Sequence, residues 1–349
     1  MGNLRSIIEQ PVSTCFLFLL FYSAGCTRTS RPAKNENDLA STWQYEPAES
    51  IPDLRKDALF KDENIKSDSI FGGFSGIEYV SDALNAPTKG RWFLITDGYS
   101  KVTPRHNSYL YSCGSNNSGF PDWKTCQARA LPLISAESVR YSKNEQQLYI
   151  VTENDEESTP SFHQFNPESS QTTHLPIQVN FKPDRGFESL ALGTANFIWS
   201  IREQPEKQSD TFTNLTAWNK SGKLLKEFSY KINISSCAHE ENGISELLID
   251  PEKANTFLVL ERCYDKDDKA QKNTVILYEV TAQHQGLTEK KVLFNFRDGL
   301  PGFNSDNLES MTWGPKISGK RTLVFISDDN FRNSGANPQF TRFLVLKEK

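Results

Sequence analysis

A seven-residue phrase occurs five times in this chain, at intervals that a compact layered domain does not require. It reads Gly73-Phe74-Ser75-Gly76-Ile77-Glu78-Tyr79, Ser135-Ala136-Glu137-Ser138-Val139-Arg140-Tyr141 and Gly186-Phe187-Glu188-Ser189-Leu190-Ala191-Leu192. The fourth copy is Gly243-Ile244-Ser245-Glu246-Leu247-Leu248-Ile249 and the fifth is Asn307-Leu308-Glu309-Ser310-Met311-Thr312-Trp313. The third positions are Ser75, Glu137, Glu188, Ser245 and Glu309, separated by 62, 51, 57 and 64 residues. A period of this size, built from strand-like pieces, predicts a β-propeller or a related repeat array. A propeller gathers equivalent positions of its blades around one axis. Polar groups remote in sequence then share one site.

Each phrase is followed by a short apolar run that ends in an acid. The runs close on Asp97, Glu153, Glu203, Glu261 and Asp328. They are rich in β-branched and aromatic residues, which is strand chemistry. Each repeat therefore reads as a strand, a turn and a second strand carrying a carboxylate near its end. Repeat three offers strands at 186–192, 196–203, 213–218 and 224–232, and repeat four at 244–249, 256–262, 273–280 and 290–296. Repeat five offers only 308–313, 321–327 and 340–347, one strand short. The segment Ala58-Leu59-Phe60-Lys61-Asp62 and its neighbours are the expected source of the missing strand. A blade shared by both termini closes the ring and leaves no open sheet edge. The expectation is an all-β propeller of five blades, or six if one is degenerate.

The N-terminus reads as an export signal. An apolar run, Cys15-Phe16-Leu17-Phe18-Leu19-Leu20-Phe21-Tyr22, precedes Ser23-Ala24-Gly25-Cys26. It is too short to span a bilayer. The small-small-Cys ending resembles a bacterial lipobox, with Cys26 as the lipidated residue and Thr27 consistent with outer-membrane sorting. Met1-Gly2-Asn3-Leu4-Arg5-Ser6 also fits a myristoylation motif, which leaves the apolar run unexplained. The expected organisation is a signal over 1–25, a polar tether over 26–56 and one domain over 57–349. An outer-membrane-anchored protein facing the periplasm or cell surface touches the membrane through its lipid alone, and an envelope protein partner is one expectation for it.

Four further cysteines, Cys113, Cys126, Cys237 and Cys263, suit disulfides in an exported chain. Nearest-neighbour pairing joins Cys113 to Cys126 and Cys237 to Cys263, with four free thiols as the alternative. The net charge is −5 and no long Lys/Arg cluster occurs, which argues against nucleic acid as the main partner.

Three stretches carry a family resemblance: Gly73 to Tyr79, Asp184-Arg185-Gly186-Phe187-Glu188-Ser189-Leu190-Ala191 and Asn242-Gly243-Ile244-Ser245-Glu246-Leu247. So does the tail Leu323 to Phe331 with Thr341 to Leu346. Over about residues 68–349 the chain resembles the phytase-like, or "esterase-like activity of phytase", β-propellers of exported bacterial proteins. The resemblance implies ester or phosphoester hydrolysis of a small substrate.

The residues themselves suit a Ca²⁺-assisted phosphoesterase, because calcium prefers six to eight oxygen ligands, largely carboxylates. Glu137, Glu188, Glu309, Asp328 and Asp329 are the expected metal ligands. Glu188, Arg185 and Asp328 are the expected catalytic groups. Arg185, Arg202, Arg262 and Asn330 are expected to hold substrate or to neutralise the acids beside them. The rival reading is a binding propeller without catalysis, in which each repeated Glu pairs with the neighbouring blade's backbone or with an adjacent Arg.

Overall fold

The computed structural model describes residues 42–46, 72–81, 90–98, 107–153, 160–177, 186–193, 197–205, 211–233, 241–264, 274–300, 307–330 and 341–349. These belong to one compact unit that begins at Ser41. Five antiparallel sheets make up the fold. Blade one is Phe74–Ser81, Gly90–Thr96, Tyr109–Gly114 and Gln127–Ala130. Blade two is Ala136–Ser142, Gln147–Thr152, Ser161–Phe165 and Thr172–Pro176. Blade three is Ala191–Leu192, Ile198–Ile201, Phe212–Trp218 and Leu224–Lys231. Blade four is Glu241–Ile249, Thr256–Tyr264 and Thr274–Gln283, edged by Lys291–Asn295 and Gly286–Leu287. Blade five is Asn307–Trp313, Thr322–Asp328, Phe343–Glu348 and the N-terminal strand Trp43–Tyr45.

The repeated phrase forms the innermost strand of every blade. Each inner strand packs against the next, and that of blade five returns to that of blade one. The chain is thus a closed five-bladed β-propeller.

The apolar runs explain the closure. The second strand of each blade is buried on both faces, so its residues serve two neighbours alternately. Trp92 and Leu94 pack toward blade five, whereas Phe93 and Ile95 pack toward blade two. The same alternation elsewhere yields five apolar clusters, one per blade boundary.

Ring closure by the N-terminus is as expected, but the strand is a different one. Trp43 faces Glu348 and Tyr45 faces Leu346, antiparallel to the C-terminal strand. Residues 43–45, placed by composition in the tether, are therefore part of the last blade. Trp43 buries itself against Trp313, ring centroids 6.0 Å apart. That aromatic anchor selects the segment. The 58–62 segment lies outside the described residues, as do Cys26, Arg185 and Cys237. Cys113 and Cys126 are bonded to each other within blade one, and Cys263 is disulfide-bonded.

Candidate functional site

The third position of the phrase is a bulge. In blades one, two, four and five the pairing slips by one residue there: between Phe74 and Gly76, Ala136 and Ser138, Ile244 and Glu246, and Leu308 and Ser310. In blade three Phe187 faces Arg202 while Ala191 faces Trp199, the same offset of one. A bulge inserts an unpaired residue and re-aims its side chain.

What the bulge does depends on the residue. Ser75 donates to the carbonyl of Ala136 on the next blade at 2.5 Å. Ser245 likewise donates to Leu308 O at 3.2 Å. The two serines stitch neighbouring blades together. The three glutamates instead converge on one end of the axis. Glu137 feels the charges of Glu153, Asp97, Glu309 and Asp328, and Glu188 those of Glu137, Glu153, Glu203 and Glu309.

The second strands complete the ring of acids. The residue after the partner of the phrase's second position is Asp97, Glu153, Glu203 or Asp328 in four blades. Blade four departs from the expected pattern. Glu261 faces Ile244 and Ile276, and Arg262 takes the place of the acid. Alternation along a strand sends consecutive side chains to opposite faces. Glu261 therefore turns between the blades, accepting from Tyr230 Oη at 2.7 Å and the Asn233 N–H at 3.0 Å, and pairing with Lys290. Arg262 turns into the acidic mouth.

Arg262 reaches Glu309 at 2.5 Å and Glu203 at 3.4 Å, and also donates to Asn307. Burial works against its charge, but Glu309, Glu203 and Glu188 outweigh burial and strengthen its hold on the proton. A second polar group, Asn307, donates to Glu309 Oε1 at 2.6 Å and to Asp328 Oδ2 at 3.4 Å. Asp329 accepts the Gly73 N–H at 3.0 Å, and a side chain at Gly72 would meet its carboxylate at 2.6 Å. Asn330 adopts a left-handed conformation at φ 49° and gives its N–H to Asp328 Oδ1 at 2.7 Å. Arg202 is half-buried at the same strand end of blade three. Of the expected set, the structure thus brings together Glu137, Glu188, Glu309, Asp328 and Asp329, with Arg262 among them and Arg202 and Asn330 beside them.

One cation cannot neutralise so many carboxylates. Burial first, then the neighbouring acids, pushes Glu137, Glu188 and Asp328 well above the usual carboxylate range. Glu153, Glu188 and Glu203 each offer one oxygen, and the three oxygens lie within 4.8 Å of one another. Hard carboxylate oxygens at this spacing fit a divalent cation such as Ca²⁺.

Below the acids, the axis is filled by a buried ion pair. Arg140 meets Glu246 at 2.9 Å. The same guanidinium donates to the carbonyls of Ile77, Val139, Leu247 and Met311, which belong to four different blades. Ser138 and Ser310 donate to Glu246 at 3.1 and 2.9 Å. Glu246 is fully buried, and desolvation raises it to about 7 in spite of Arg140. Sequence reasoning assigned this pair no role. The signal was present: Glu246 stands where the other copies have Gly76, Ser138, Ser189 and Ser310, and Arg140 is the only cation at its position.

A model of the Phytase-like family, described as esterase-like activity of phytase, matches residues 69–331, well over half of the chain. The chain belongs to the Phytase-like family. No curated protein matches it. Among solved structures, this Phytase-like propeller is similar to an endo-arabinase from Bacteroides thetaiotaomicron, at 12% identity and TM-score 0.46, over 74% of this chain and 89% of that one. It is also similar to the α-L-arabinofuranosidase PaAbf62A from Podospora anserina, at 10% identity and TM-score 0.45, over 88% and 98%. A third is the aldose sugar dehydrogenase from Streptomyces coelicolor in its PQQ-bound form, at 13% identity and TM-score 0.38, over 83% of each chain. At such scores and identities the likeness carries no information on reaction or substrate.

Proposed function

We propose that the acidic mouth holds a divalent cation, Ca²⁺ the expected ion, and that the protein hydrolyses a small phosphoester presented there, at the cell envelope. The observation that carries this reading is the trio Glu153, Glu188 and Glu203, with oxygens within 4.8 Å of one another inside a ring of further acids. An acidic mouth by itself repels phosphate. A cation reverses that, and when bound it polarises the phosphoryl oxygen and lowers the pKa of a coordinated water.

The chain's own residues divide the remaining work. Glu153, Glu188 and Glu203 would hold the ion, beside Glu137 and Glu309, whose charges also act on Glu188. Asp328, which its surroundings favour in the protonated form, would give its proton to the leaving oxygen. Arg262 would keep Glu309 and Glu203 from repelling each other. In that role it is engaged by acids, and phosphate binding would fall to Arg202 and Arg185.

The test uses calorimetric titration of Ca²⁺ and hydrolysis of p-nitrophenyl phosphate. Saturable calcium binding, with phosphatase activity that EGTA removes and Glu188→Gln abolishes, supports the reading. Absence of binding by calcium, magnesium and manganese alike overturns it. Calcium binding without hydrolysis of any phosphoester or carboxylic ester favours the binding propeller instead.

A further inference from the structure

The inner strands run the same way around the axis, so their C-terminal ends gather at the end opposite the acids. There they surround a cavity of about 640 Å³, within the range of about 300–1,000 Å³ usual for small-molecule sites. The Arg140–Glu246 layer lies between the cavity and the acidic mouth.

The cavity has a floor, walls and a rim of different chemistry. At the floor Glu78 accepts from the Tyr141 N–H at 3.2 Å and from Thr312 Oγ1 at 3.0 Å, with Arg140 3.8 Å away. Its oxygens are therefore satisfied within the protein. The walls are apolar, formed by Leu192, Leu248, Ile249, Pro315, Tyr79 and Trp313. Trp313 is fixed in place: its indole N–H donates to Ile249 O at 2.9 Å, and Arg321 sits over its ring at 5.0 Å. At the rim, Lys143 and Lys316 are exposed. Neither has an ion pair within 4 Å among the described residues.

We propose that this cavity is a second ligand site, taking a small amphipathic anion. The apolar body lies along Leu192, Ile249 and Trp313, and its carboxylate or phosphate group stays at the rim with Lys143 and Lys316. The floor sets this orientation. Glu78 is an acceptor already engaged by Tyr141, Thr312 and Arg140 and offers an anion no donor, so the charged end faces outward. Burying an apolar body supplies the affinity, and the lysines select the charge.

The test is calorimetric titration of the whole chain with decanoate, decyl phosphate and decanol, below micelle-forming concentrations. The expected result is one saturable site for an anionic probe. Decanol should bind at least about tenfold more weakly, the equivalent of one modest charge contact. The relative strength of decanoate and decyl phosphate identifies which anionic group the rim prefers. Lys143→Ala/Lys316→Ala should weaken the better anion by a similar factor, and Ile249→Trp should remove binding by filling the cavity. Glu188→Gln, at the other end of the axis, should leave binding unchanged. Failure of both anions to bind overturns the proposal. So does binding of decanol as tight as that of the anions, or anion binding that survives both the lysine pair and Ile249→Trp.

Discussion

The two ends of the propeller axis share the same five inner strands and are chemically opposed. At the N-terminal ends, bulged glutamates and strand-end acids crowd together with Arg262 as the cation among them. At the C-terminal ends, the walls are apolar, the one carboxylate is hydrogen-bonded, and two lysines stand at the rim. Between them a single ion pair ties four blades together. Repetition of one phrase therefore does not produce one environment. A position near the bulge faces other acids, whereas a position four residues on faces hydrophobic neighbours. The ring makes equivalent positions meet, and departures from the repeat decide what they meet.

The largest effect is expected from the layer that separates the ends. Removing one partner of a buried, hydrogen-bonded pair strands the other charge, at a cost of about 3–5 kcal/mol. Glu246→Ala and Arg140→Met should each lose that much in urea unfolding. The double replacement Arg140→Met/Glu246→Leu should recover most of it. If the single variants are near wild type, the axis is not held by this pair.

Next comes Arg262→Met. It leaves Glu309 and Glu203 without their cation, so the calcium-free protein should lose about 1–3 kcal/mol. The stabilisation gained from added Ca²⁺ should grow in the same variant, because the ion then neutralises more charge. A variant as stable as wild type, with an unchanged calcium response, would separate Arg262 from the acidic mouth.

The pH response distinguishes the two ends more finely. Glu137, Glu188 and Asp328 have raised values in the folded protein. Between the ordinary carboxylate range and those raised values, the folded state binds more protons than the unfolded state. Stability therefore falls as pH rises through that window. Without divalent ions, the melting temperature should climb as pH drops from neutral toward the ordinary carboxylate range. Glu137→Gln/Glu188→Gln should make the climb shallower, with Asp328, Glu246 and Glu78, all raised by burial, supplying the remainder. Lys143→Ala/Lys316→Ala, by contrast, should leave most of it intact. A melting temperature that falls throughout this descent contradicts the assigned directions.

The smallest effect is expected at the cavity rim. Lys143 and Lys316 are exposed and outside any ion pair among the described residues, so their removal should change stability by less than about 0.5 kcal/mol. A larger loss in thermal melts would mean that the lysines support the fold.

Much of the architecture was legible from spacing and strand chemistry. The repeat three and four strand limits differ from the observed ones by a few residues, except at 186–192, where only Ala191–Leu192 are paired as a strand. That blade starts with an isolated bridge, Phe187 to Arg202, which hydrophobic pattern cannot report. The closing strand was misplaced because three residues, Trp43–Tyr45, are too few for alternation to show. The acids of the site were legible as a set, with one error. Reading Glu261 as the blade-four acid required knowing the register, and a shift of one residue reverses the face.

The sequence by itself determined a closed all-β array of repeated strand units, five or six in number. That follows from local physics: β-branched and aromatic runs form strands, runs buried on both faces need neighbours on both sides, and a strand missing from one end must come from the other. Only the tertiary structure decided which side chains meet. Bulge position, register and ring closure place Glu137, Glu188 and Glu309 in one mouth while turning Ser75 and Ser245 to the next blade's backbone. They also bring Arg140 to Glu246 across 106 residues of chain. Such contacts join positions far apart in sequence, and no local propensity encodes them.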